Sequence, residues 1–106
     1  MFAMRAFFLL VFALPLFASG VPARGRQAFI DLRCHSCHRV AEDPSMSRPG
    51  AVWEGPLLHD LGKETPQAIA QRIVARARTN RAMAQSCAAM TDGQLHDIVA
   101  YLRAPR

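Results

Sequence analysis

The sequence predicts an all-α fold. Three segments carry apolar residues at helical spacing, strand-like alternation is nearly absent, and a long loop bearing Pro and Gly separates the first two segments.

The first helix is expected over 24–33. Ala28, Phe29 and Leu32 share one face there, Ile30 flanks them, and Gly25 lies one turn before Phe29. The second is expected over 65–79, with Thr65 as cap, Pro66 at the first helical position, and Ile69, Ile73 and Ala77 repeating every four residues. Arg72, Arg76 and Arg78 give that helix a flank facing water. It should end near Thr79-Asn80, where Asn suits a left-handed turn. The third begins at Thr91, because Thr-Asp-Gly-Gln has the spacing of a capping box, and Leu95, Ile98, Val99 and Leu102 form a stripe ending at Pro105. Gly93 weakens its first turn slightly. The segment 40–62, VAEDPSMSRPGAVWEGPLLHDLG, is long for so small a chain, and such loops are usually functional or wrapped around something. Neither an internal repeat nor a second domain is evident.

Residues 1–23, MFAMRAFFLLVFALPLFASGVPA, combine one Arg, no acidic residue, an apolar run over 6–18 and a small-residue exit. That run is too short to span a bilayer and has the form of a secretory signal peptide. Cleavage after Gly20 (with Ala18) or after Ala23 (with Val21) fits the small-residue rule; retention as an N-terminal anchor is the alternative. The domain then runs over 24–106, exported to the periplasm and without a stable membrane span once the leader is gone.

The formal charge of +5 falls by one with the loss of Arg5. The remaining basic residues, nearly all Arg, are scattered and not interleaved with aromatics, which argues against nucleic-acid binding. Such a charge suits a mild docking field for an acidic partner or simply a soluble surface. Below about 70–80 residues an apolar core seldom suffices, and a mature chain barely above that range needs an internal staple. Three cysteines cannot make a disulfide framework without one left over.

The stretch Cys34-His35-Ser36-Cys37-His38 is the chemical centre of the sequence. A zinc site would need a second paired cluster, and Cys87, His59 and His96 lack that spacing. A thioredoxin-like thiol pair expects a preceding strand in an α/β pattern. Haem attachment fits better. Cys34 and Cys37 can each add to a haem vinyl group, and His38 is then held beneath the iron as an axial ligand. A covalently held haem would also supply the missing core. His35 reads as a spacer and His96 as a polar-side residue, both expected to be exposed. Met46 carries little signal, and Cys87 reads mainly as small buried filler.

The stretches RGRQAF, CHSCH, GPLLHDLG and MTDGQLHDIVAYLR together make the chain resemble the class I c-type cytochromes over nearly its whole mature length. The resemblance implies a small cytochrome c fold: three main helices and long loops around one haem c, one iron-bearing group per chain. It implies that Gly25 and Phe29 pack across Ile98 and Tyr101 of the last helix. It implies a Gly-Pro turn whose Pro56 carbonyl accepts the Nδ1 proton of His38, and a possible propionate contact from Trp53. It also implies a Met sixth ligand in the loop before the last helix. That loop, RTNRAMAQSCAAMTDG, lacks the Pro that commonly follows the ligand. Met83, with small neighbours and room to cross the haem face, is favoured; Met90, beside the Thr91 cap, is the runner-up. Cys87, His59 or an open position complete the alternatives.

The function implied is a one-electron carrier, not an enzyme in itself, exchanging electrons with redox protein partners at a haem edge. It would act as a monomer or as a subunit of a redox complex. The alternative is a haem c subunit of a periplasmic oxidoreductase complex, or a five-coordinate haem enzyme or sensor.

Overall fold

A computed structural model of the chain describes residues 20–46 and 55–105. Four helices are present among them: α1 (Pro22–Asp31), α2 (Pro66–Thr79), α3 (Arg81–Cys87) and α4 (Asp92–Arg103). Apart from one isolated parallel bridge between Val40 and Leu58, no extended pairing occurs among the described residues.

Helix α1 begins two residues earlier than expected, because Pro22 takes the first helical position, where its missing N–H costs nothing. It also ends sooner. Leu32 caps it, and Arg33 turns left-handed at φ 62° to feed a 3-10 turn over Cys34–Ser36. The leader segment 1–19 lies outside the described residues. Cleavage after Ala23 would fall inside α1.

Helix α2 forms as its signals imply. Thr65 Oγ1 accepts from the Ala68 N–H at 3.2 Å, and Ile69 is buried while Ile73 and Ala77 are half-buried. Asn80 departs from expectation. It is extended (φ −124°, ψ 116°), and its Oδ1 accepts from the Met83 N–H at 3.0 Å, so it ends α2 and starts α3. The segment expected to be a loop is therefore largely helical, because Asn80 offers a cap and the alanines that follow favour a helix.

At the start of α4 both arms of the capping box are made. Thr91 Oγ1 accepts from the Gln94 N–H at 3.1 Å, and the Gln94 side chain accepts from the Thr91 N–H at 2.9 Å. Ile98, Val99, Tyr101 and Leu102 are buried on its inner face.

The core lies where α1 crosses α4. A Cβ on Gly25 would collide with the Asp97 carbonyl and lie 2.8 Å from the Tyr101 Cβ, so only Gly allows this approach. Phe29, 2% exposed, meets Tyr101 ring to ring at 5.8 Å and 57°. The crossing implied by the family resemblance is present, although Gly25 faces Asp97 and Tyr101 while Ile98 joins the core alongside. Met46 belongs to that core too, at 3% exposure, contrary to the expectation that it carries little signal. The adjoining loop is brought inward by Asp43, whose polar contacts anchor it.

Asp43 joins three parts of the chain. Its carboxylate accepts from Tyr101 Oη at 2.6 Å, Ser45 Oγ at 2.7 Å and Arg26 Nε at 2.9 Å. Burial opposes ionisation, but the hydrogen bonds from Tyr101, Ser45 and Arg26 and the charge of Arg26 outweigh it, holding the carboxyl at about 2, below its ordinary 3.8. A carboxyl depressed in this way stabilises the fold above its unfolded pKa, and the contribution is lost as pH falls through the folded one. The melting-temperature deficit of an Asp43→Asn variant should therefore be constant near neutrality and shrink between pH 3.8 and about 2. A deficit independent of pH across that window would show that the carboxylate charge contributes nothing.

Candidate haem site

The 3-10 turn over Cys34–Ser36 places the motif directly after α1. The N–H groups of Cys37 and His38 both reach the Cys34 carbonyl, at 3.3 and 3.0 Å. The chain beyond is tied to the end of the long loop. Gly55 N–H donates to Cys37 O at 3.0 Å, Leu58 N–H to Arg39 O at 2.8 Å, and Ala41 N–H to Leu58 O at 2.9 Å. These ties bring residues 55–58 alongside His38.

Two contacts orient the His38 ring. Its Nδ1 is 2.9 Å from Pro56 O; with the proton on Nδ1 it donates to that carbonyl and leaves Nε2 as the coordinating nitrogen. On Gly55, an added Cβ would lie 2.6 Å from Nδ1 and 2.8 Å from Nε2 of the same ring. Gly55 is thus the floor of the imidazole's cradle, a role not singled out in the sequence beyond the Gly-Pro pair itself. The only sequence signal was its place before Pro56.

Cys34, Cys37 and Cys87 are all free and half-buried. Burial first, then repulsion from the Cys87 thiolate, pushes the Cys34 thiol from 9.0 up to about 12. Burial also raises Cys87. Cys87, half-buried, is close enough to Cys34 for the two thiols to influence each other's ionisation.

A groove runs between α2 and α3, lined by Val74, Ala77, Ala84, Cys87, Ala88 and Met90 among others. Its lining is mostly apolar and small, with Arg78 also contributing. Met90 is half-buried, packs on the core and lines this groove; Met83, also half-buried, stands in the first turn of α3, held there by Asn80. His96 is exposed as expected, but His35 is half-buried. His59 is exposed, with Nδ1 3.5 Å from the Asp60 carboxylate. Trp53 lies outside the described residues. Among the described residues, no group of three or more His, Cys, Asp or Glu side chains is placed to hold a metal ion.

A paired-thiol motif followed by an imidazole cradled by Pro56 and Gly55, with Nε2 left to coordinate, fits covalent haem. A family model for cytochrome c matches residues 22–104. The chain belongs to the cytochrome c family. Membership in the cytochrome c family brings with it covalently bound haem c, electron transfer as the typical activity, and redox partners. The helical fold is that of a class I c-type cytochrome. No match is found among curated proteins or among solved structures. No helix among the described residues of this cytochrome c is long and apolar enough to cross a membrane.

Proposed function

We propose that this cytochrome c is a periplasmic one-electron carrier whose single haem c would be held by Cys34 and Cys37 and ligated by His38 and a Met thioether. The observation that carries the reading is the His38 cradle: Pro56 O on one nitrogen and Gly55 against the ring. Bound haem would supply a one-electron iron couple, exchanged outer-sphere through its edge. The chain's own residues hold the imidazole in one tautomer, keep an apolar wall against water and present charge to partners. In this reading the export leader lies within residues 1–23, cleaved after Gly20 or after Ala23, the chain beyond the cut forms the domain, and Trp53 contacts a propionate.

Both thiols of the motif are consumed in thioether formation. Denatured mature protein should stay red, carry the mass of one haem and show one reactive thiol, that of Cys87. Three reactive thiols in the exported protein would end the haem reading.

For the sixth ligand Met83 remains the first choice, on the family pattern and its distance from the α4 cap. Met90 is the second, favoured by its place on the groove wall. Met83→Ala should abolish the Met-to-iron(III) charge-transfer band, admit CO to the reduced protein and lower the reduction potential, while Met90→Ala leaves the band. The reverse outcome assigns Met90. Rapid CO binding by the parent protein would instead support the five-coordinate enzyme or sensor. Co-purification with a catalytic chain would support the oxidoreductase-subunit reading.

A further inference from the structure

The N-terminal edge of α1 meets the middle of α4 through a half-buried carboxylate. The Val21 N–H donates to Asp97 Oδ1 at 2.7 Å, and Arg24 Nε approaches Asp97 Oδ2 at 3.3 Å. The Asp97 side chain is 14% exposed against 69% for Arg24, so the arginine covers the carboxylate only from its solvent side. Val21 is also the cap residue of α1, and its carbonyl accepts from the Gly25 N–H at 2.9 Å. Its neighbour Pro22 needs no acceptor. Gly20, one residue earlier, contributes no side chain to the fold; it passes against the His96 carbonyl, where any Cβ would collide.

These contacts treat the two cleavage positions differently. A cut after Ala23 removes Val21, Pro22 and Ala23, takes the acceptor from Gly25 and empties one side of Asp97. A cut after Gly20 removes none of this. It also turns the nitrogen already lying on Asp97 from a neutral amide into a primary amine.

Resting on the export reading above, we propose that a leader peptidase cleaves the Gly20–Val21 bond and that the Val21 α-ammonium so formed docks on Asp97, tying the mature N-terminus to α4. One water is consumed: the amide C–N bond breaks, Gly20 leaves as a carboxylate, and the Val21 amine takes up a proton. The new cation joins Arg24 on the same carboxylate, so the ammonium is stabilised by Asp97 and opposed by Arg24. His96 is the other titratable residue on the adjoining stretch of α4.

The test uses the full chain expressed in an exporting host that attaches haem. N-terminal sequencing and intact mass of the mature protein should place Val21 first. A start at Arg24, or at any other residue beyond the leader, overturns the assignment while leaving export intact; retention of the whole leader overturns it and removes cleavage from the export reading. The docking is read separately. Lys63 is the only lysine, so reductive methylation with labelled formaldehyde yields two amine signals. The labelled α-amine should titrate at a higher pH in the folded protein than after denaturation, because Asp97 stabilises its charged form. Asp97→Asn should abolish the difference. Equal titration in folded and denatured parent protein would overturn the docking even with Val21 first.

Discussion

Replacing His38 with alanine is expected to leave almost no stable haem protein in the exported fraction. The orientation of the imidazole is set from outside the motif, by Pro56 and Gly55. Its loss removes the axial donor and empties the cradle, and a domain this small has little other core to fall back on. Haem-stained yield and the low-spin spectrum measure the effect; a folded, low-spin His38→Ala protein at parental yield would refute it. Gly55→Ala separates ligation from bulk stability. Its methyl group collides first with the His38 ring, so it should disturb the spectrum and potential more than the melting temperature.

Phe29→Ala should produce the largest loss of stability available from a single side chain, about 3–5 kcal/mol, as for buried aromatics generally. Phe29 is 2% exposed and packs on Tyr101, so truncation both leaves a cavity and unseats the ring that carries the hydroxyl bound to Asp43. For a domain near this size such a loss lowers the melting temperature by tens of degrees, at roughly 4–8 °C per kcal/mol. Overlapping melting curves for variant and parent would show that the α1–α4 crossing does not support the fold.

Local signals in the sequence translated well. Thr65-Pro66 and Thr91 to Gln94 start helices through contacts within a single turn, so the residues that specify them stand side by side in the chain. The crossing of α1 and α4 was legible only because Gly25 and Phe29 resemble a family pattern; apolar spacing by itself says which face is buried, not against what. The short helix α3 was missed because Asn80 can serve either as a left-handed turn or as a cap, and its side-chain bond to Met83 decides between them. The contacts around Asp43 join residues 17 and 58 positions apart, a distance over which no periodicity carries information. The Val40–Leu58 bridge is a single pair with no alternation to reveal it. Around the motif, Cys34, Cys37 and His38 announce their chemistry through spacing, whereas the floor provided by Gly55 exists only once the two loop segments are tied together.

The α1–α4 clasp has a consequence for the order of events in making this protein. Its first helix finds its partner only when Tyr101, near the end of the chain, has emerged from the ribosome, and contacts of such long range are slow to form. If the chain is exported as proposed, that interval leaves it open for threading and leaves the thiols of Cys34 and Cys37 accessible. Under the proposed function, late closure of this crossing would let threading and cofactor attachment precede the sealing of the core.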